Sequence, residues 1–235
     1  MGAGWGRGPR RQARQGRTYS KSVNDDVATD DGRNRRAERR RRTVGVAGHR
    51  ADEPASRRGL SDRDPSVRAA AVGALARLGA LTVADVVAAL ADEAPSVRRR
   101  AADAALEVRG QGSRSALPAA LAAALADPDP IVAVHAAWFC GERRYRPAVP
   151  ALGALAATHH DARCREAAIA ALGAIGDPAG LDAVLGALTD RPTVRRRATV
   201  ALAGFVDPRV EPALRRAAED RDWQVRQAAE ELLGA

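Results

Sequence analysis

The sequence is poor in aromatic residues, cysteine and long apolar runs, and each scarcity restricts what the protein can be. Only 3% of the 235 residues are aromatic although 46% are hydrophobic, so the core must consist mainly of Ala, Leu and Val. Ala and Leu favour helices over sheet. Two cysteines and no apolar leader indicate a cytoplasmic protein without a disulfide framework. No apolar run approaches the roughly 18 residues of a membrane span, so we expect no membrane partner.

Positive charge is concentrated at the start of the chain. Residues 1–59 contain 16 Lys and Arg against 7 Asp and Glu, whereas residues 60–235 contain 22 of each. The first segment also lacks apolar periodicity and is rich in Gly, Arg, Asn, Asp and Ser, a composition typical of disorder. We therefore predict a disordered Arg-rich tail over residues 1–59, able to bind polyanions weakly and without specificity.

From residue 60 the chain repeats itself six times. The repeats align on one apolar position, here called the anchor, and successive anchors are 30, 35, 32, 30 and 31 residues apart. The residue four after the anchor is always Ala, and most residues eight and eleven after it are apolar, which is the buried stripe of an amphipathic helix. A second apolar helix precedes this one in every unit except the first. The anchors are Val67, Val97, Val132, Cys164, Val194 and Val225.

Helix start signals precede the anchors. In four units an Asp stands three residues before the anchor, where its side chain can cap the first turn. In four units a Pro follows at the first helical position, where the missing N–H has no cost. These aspartates are Asp64, Asp129, Asp161 and Asp222.

The repeated motif resembles that of a known family. The pattern Asp-x-x-Val-Arg-x-x-Ala-x-x-x-Leu, followed by Leu or Ile and then Gly, is similar to the short HEAT-like repeats of phycobilisome lyases. The resemblance covers residues 60–235 and implies an all-α, right-handed, armadillo-like α-solenoid of about six helical pairs, preceded by the disordered basic tail. Repeat folds of this kind include scaffolds, chaperones, lyases and hydroxylases, so the resemblance alone leaves function open.

An Arg directly follows the anchor in five of the six units, and two interpretations remain open. In the first, each Arg pairs with a capping Asp, and the pairs form a structural ladder along the solenoid. In the second, the guanidinium groups line a concave face at the positions one, two and five after the anchor and bind acidic protein or phosphate. The ladder candidates are Asp64, Arg68, Asp129, Asp161, Arg165, Asp222 and Arg226. The partner-binding candidates are Arg98, Arg99, Arg100, Arg195, Arg196, Arg197, Trp138 and Trp223.

No group of residues indicates catalysis. His135, His159 and His160 lie near Cys140 and Cys164, but both cysteines occupy stripe positions typical of buried inert thiols. The His-Glu pairs by which HEAT-like hydroxylases hold di-iron are absent from the sequence. We therefore expect no catalytic residue, no cofactor and no metal.

The sequence favours a non-catalytic scaffold or adaptor that binds another protein, one with an acidic surface. One alternative is a nucleic-acid-associated protein that uses the basic tail and the Arg row. The other is a lyase- or hydroxylase-type HEAT-like enzyme or enzyme subunit, an alternative that rests on fold analogy.

Overall fold

The computed structural model describes residues 19–50, 52–108 and 116–234, with side chains from residue 32 onward. Within these ranges the chain is helical and contains no strand, which confirms the predicted all-α class. The helices are α1 (Tyr19–His49), α2 (Glu53–Gly59), α3 (Pro65–Arg77), α4 (Val83–Leu90), α5 (Pro95–Ala104), α6 (Ala116–Ala123), α7 (Pro130–Glu142), α8 (Val149–Thr158), α9 (Ala162–Ile175), α10 (Leu181–Ala187), α11 (Pro192–Ala201), α12 (Val210–Ala217) and α13 (Trp223–Leu233).

Helices α2 to α13 form six pairs stacked in two rows. The even-numbered members are the first helices of the pairs, and the odd-numbered members from α3 to α13 are the second helices. Each second helix contacts its own first helix and the second helices of the neighbouring units. Since every unit buries its apolar face against its neighbours, the arrangement is the predicted α-solenoid.

The predicted stripe and caps are confirmed. The Ala four residues after the anchor has no exposed surface in any of the six units. The four capping aspartates each accept a hydrogen bond from the backbone N–H two residues later, at 2.9–3.0 Å. Local sequence therefore sets where these second helices begin.

Neighbouring second helices approach each other closely at glycines. A Cβ placed on Gly141 would lie 2.9 Å from Ala171 Cα, and one placed on Gly173 would lie 2.7 Å from Ala201 Cβ. Both glycines stand nine residues after their anchor, and both alanines stand seven after theirs. The absence of a side chain at these positions lets the backbones come into contact.

The prediction of disorder through residue 59 is wrong for the described part of that segment. Helix α1 buries Ala37, Val44 and Ala47, and α2 is the missing first helix of the first unit. Small residues suffice here because α1 and α3 pack closely, and a Cβ on Gly48 would lie 2.8 Å from Ala74 Cβ. The first 18 residues of the predicted tail lie outside the described residues.

Helix α1 takes the place of an additional second helix. It packs on α3 as each second helix packs on the next one, and Gly48 meets Ala74, seven residues after its anchor, as Gly141 meets Ala171. Arg40, eight residues before Gly48, corresponds to the Arg that follows the anchor in the other units. The second-helix row thus begins at α1.

Candidate functional site: the arginine ladder and the second-helix face

The Arg that follows the anchor forms a two-pronged ion pair with the next unit. In Arg68, Nε and Nη2 donate to the two carboxylate oxygens of Asp92, both at 2.7 Å. Such fork-to-fork pairs hold a guanidinium more rigidly than a single contact. The same geometry recurs in Arg40–Asp62, Arg98–Asp127, Arg165–Asp190 and Arg195–Asp220.

Each ladder Arg also binds the loop that precedes its own helix. Arg68 Nη1 donates to the carbonyl oxygens of Asp62 and Arg63, at 3.0 and 3.2 Å. Asp62 in turn accepts a hydrogen bond from the backbone N–H of Asp64 at 2.9 Å. One side chain therefore fixes the start of a helix, its loop and the distance to the next unit.

The structural interpretation of the Arg row is correct, but the predicted acidic partners are wrong. The pairing Asp stands five residues before the anchor, or four before it for Asp190, instead of three. The aspartates at minus three use their oxygens on the first-turn amides of their own helices. Of these, Asp129 also binds Arg99, and Asp161 also binds Arg163.

The ladder is interrupted between α7 and α9 and is open at α13. Ala133 replaces the Arg in α7, and His159 replaces the Asp in the following loop, so both partners change together. His159 Nδ1 accepts the N–H of Asp161 at 3.1 Å and thus keeps the local role of the missing carboxylate. Arg226 keeps its carbonyl contacts at 2.8 and 3.2 Å but makes no ion pair within the described residues.

Two of the predicted partner-binding residues belong to the ladder. The side chains of Arg98 and Arg195 are only 12% and 6% exposed, so neither is available to a partner. The positions five after the anchor were also expected on the concave face and are wrong in the same way, since Val72, Ala102 and Ile169 are buried. The reason is that these positions face the next unit in the stack.

The positions two and three after the anchor do reach the surface. Arg99, Arg100 and Arg196 are exposed, and Arg197 is half-buried. Arg99 binds Asp129 of the next unit, Arg100 binds Asp103, and Arg197 binds Glu166 at 3.3 Å. Only Arg196 lacks an ion pair among the described residues. We call this surface of the odd-numbered helices the second-helix face.

An apolar groove on this face lies beside Trp138. Trp138 is 53% exposed and stands six residues after the anchor of α7. The floor of the groove is the alanine-lined side of α9, and its volume is about 350 Å³. The charged residues that line it are Glu142, Arg163, Glu166 and Arg197. Trp223, although 62% exposed, is not among its lining residues.

A second groove on the same face lies between α1 and α5 and is more basic. Its volume is about 560 Å³, and its floor includes Ala69 and Ala70 of α3. Arg41 lines it from α1, and Arg99 and Arg100 line it from α5. The sequence analysis missed Arg41 because it assigned α1 to a disordered tail.

The possible chemical groups are placed without any catalytic arrangement among the described residues. Burial raises the pKa of the Cys140 thiol to about 12 and that of Cys164 to about 11. Neither thiol is therefore ionised near neutral pH. Within the described residues, no three His, Cys, Asp or Glu side chains come together as a metal site, and no helix could cross a bilayer.

Comparison with known families agrees with the repeat geometry. One family model, for HEAT repeats, matches residues 117–203, and another, for the PBS lyase HEAT-like repeat, matches residues 194–220. The protein is a HEAT-repeat protein of the phycobilisome-lyase type. Comparison of this HEAT-repeat protein with curated protein sequences gave no match.

Solved structures with the same fold come from natural and designed proteins. The complex of CpcE and CpcF of phycocyanin lyase from Nostoc sp. PCC7120 contains a chain 26% identical, with a TM-score of 0.55 over 75% of this chain and 74% of that one. A designed armadillo repeat protein in complex with the peptide (KR)4 is 16% identical, with a TM-score of 0.58 over 77% of this chain and 98% of that one. At that identity the second likeness concerns the fold alone.

The ladder makes the stability of the HEAT-repeat protein sensitive to acid. Hydrogen bonds from Arg68, Arg165 and Arg195 are the largest cause that lowers the pKa values of Asp92, Asp190 and Asp220 below the ordinary 3.8. A carboxylate with a lowered pKa in the folded state stabilises the fold above its unfolded pKa and loses that contribution as the pH falls further. We expect urea midpoints that stay constant from pH 7 to about pH 5 and fall below about pH 4. A midpoint that is unchanged at pH 3 would contradict the ladder's contribution.

Proposed function

We propose that this HEAT-repeat protein is a non-catalytic scaffold that binds another protein along the second-helix face. The observation that carries the proposal is Trp138, a large aromatic side chain left half-exposed beside a groove with a floor of alanines. Tryptophan is enriched among the residues that dominate binding energy at protein interfaces. The small floor residues leave room for an apolar side chain of the partner to pack against the indole ring.

The charges around the groove suggest the chemistry of the partner. Arg163 is 73% exposed at the groove, and Arg196 lies in the second-helix face without an ion pair among the described residues. We propose that acidic residues of the partner pair with these guanidinium groups while an apolar residue occupies the groove. The Nostoc neighbour supports a partner protein, since its structure is that of a complex between two proteins.

The remaining parts of the proposal concern activity and location. The two cysteines are buried and have raised pKa values, which makes them unsuitable as nucleophiles. They are also unpaired, and for this reason we propose that the protein works in the reducing cytoplasm.

Replacing Trp138 with alanine is expected to weaken partner binding without weakening the fold. The indole is half-exposed, so its loss removes little core packing, whereas truncation of an interface tryptophan typically costs 2 kcal/mol or more, about thirtyfold in affinity. The measurement is quantitative recovery of co-purifying protein with wild type and variant, together with thermal melts of both.

Trp223→Ala is the matched control, because that tryptophan is also exposed but does not line the groove. We expect wild-type recovery from this variant. If Trp223→Ala loses the partner and Trp138→Ala keeps it, the groove is not the binding site.

A further inference from the structure

The N-terminal end of the stack carries a dense group of arginines. Between Arg33 and Arg42 the sequence has seven arginines and one acidic residue, Glu38. One of the seven, Arg40, turns inward and binds Asp62 in the ladder. The other six are exposed. This segment thus has a high local positive charge, whereas residues 60–235 have no net charge.

Helix periodicity places several of these arginines on one side of α1. Arg35, Arg39 and Arg42 are four and three residues apart, so they follow one another along the same face, about 5–6 Å apart. Arg36 lies beside them on the next turn. We call these four residues the α1 arginine row.

The α1 arginine row lies on a face that no other helix covers in the described part of the chain. Helix α1 packs on α2 and α3 through its buried residues, which include Val44 and Ala47. Arg35, Arg36, Arg39 and Arg42 are all exposed and thus lie away from that contact.

The composition of the row favours a phosphate ligand over a protein surface. Protein interfaces are built around apolar and aromatic anchors. Along this part of α1 the only exposed large hydrophobic side chain is Val46, and the described part of the helix has no aromatic residue. Guanidinium groups at helical spacing, without stacking partners, suit the backbone of a duplex, where affinity comes from neutralised phosphates and released counterions.

We propose that the α1 arginine row binds the phosphate backbone of double-stranded nucleic acid without sequence specificity. This function is separate from protein binding in the Trp138 groove. The row continues toward the second-helix face through Arg41, which lines the basic groove with Arg99 and Arg100. A duplex on α1 therefore has a positive surface on both sides of the helix.

The test is fluorescence anisotropy of the full-length protein with labelled duplex DNA of mixed sequence. If three or four phosphates are neutralised, log K should fall against log salt with a slope near −3, which weakens binding about 50-fold between 50 and 200 mM salt. A slope shallower than about −1, or no binding at low salt, would overturn the proposal.

The decisive variant is Arg36→Ala/Arg39→Ala/Arg42→Ala. All three side chains are exposed, so the fold should be unchanged in circular dichroism, while affinity at low salt should fall tenfold or more. The corresponding lysine triple variant keeps the charge and should retain most of the binding. If the alanine variant binds as wild type does, the proposal is wrong.

Two matched variants remove the same charge elsewhere. Arg146→Ala/Arg216→Ala/Arg221→Ala lowers the charge on exposed parts of the solenoid, and Arg10→Ala/Arg11→Ala/Arg14→Ala lowers it in the first 18 residues. Both should bind DNA within about threefold of wild type. An equal loss in the first would show a general charge effect, and an equal or larger loss in the second would place the binding before α1; either result overturns the proposal.

A competitor distinguishes nucleic acid from an acidic protein. Poly-L-glutamate at matched charge should displace the duplex less effectively than unlabelled DNA does. Tighter binding of polyglutamate would overturn the assignment in favour of an acidic protein. Trp138→Ala should leave DNA affinity unchanged, so failure here and failure of the proposed scaffold function are distinguishable.

Discussion

Replacing Gly173 with alanine is expected to destabilise the HEAT-repeat protein by about 1–3 kcal/mol. The new Cβ would lie 2.7 Å from Ala201 Cβ and 2.8 Å from Ala201 Cα, so backbone has to move and the α9–α11 crossing has to open. This cost exceeds the roughly 1 kcal/mol that alanine gains over glycine within a helix. Urea unfolding followed by circular dichroism measures the change.

Gly186→Ala is the matched control for this substitution. Gly186 also lies in a helix, but a Cβ placed on it meets nothing within 4 Å. Alanine there should stabilise the protein by up to about 1 kcal/mol. If both variants change stability in the same direction, close backbone contact between second helices does not hold the stack together.

Replacing Arg195 with alanine is expected to cost about 2–4 kcal/mol of unfolding free energy. Its side chain is 6% exposed and that of Asp220 is 15% exposed, so the substitution leaves a largely buried carboxylate without its counter-charge. It also removes the bond from Nη1 to the carbonyl oxygen of Asp190 at 2.9 Å. The loss should be smaller at pH 3 than at pH 7, because Asp220 then becomes protonated.

Arg215→Ala provides the exposed comparison. Arg215 and Glu211 form an ion pair whose side chains are 72% and 65% exposed. We expect a loss of no more than about 0.5 kcal/mol from that variant. Similar losses in Arg195→Ala and Arg215→Ala would mean that the ladder contributes no more than an ordinary surface pair.

Local features of the sequence predicted much of the fold. The invariant Ala four residues after the anchor marked the buried stripe, and Asp64 marked a helix start, because burial and capping act within a single helix. The existence of a ladder could also be predicted, since Arg recurs at one position in five units. Its acidic side could have been found too, because Asp62, Asp92, Asp127 and Asp220 all stand five residues before an anchor.

Contacts between distant units could not be predicted from one sequence. Helix α1 has few apolar residues, and it is held by the close approach of Gly48 to Ala74 and by the pair of Arg40 with Asp62. Both partners of Arg40 and Gly48 lie in the following unit, so composition alone indicated disorder. The Trp138 groove depends in the same way on which side of α9 faces α7.

Photocrosslinking at position 138 tests the proposed scaffold function most directly. Benzoylphenylalanine replaces Trp138 in one variant and Ala154, an exposed residue of the first helix α8, in another. A third variant combines position 138 with Ala174→Arg, which adds a large side chain at an exposed position of the groove. The scaffold function predicts one discrete protein adduct at position 138, none at 154, and loss of the adduct when Arg occupies position 174. Adducts of equal yield at 138 and 154, or an adduct unaffected by Ala174→Arg, would contradict it.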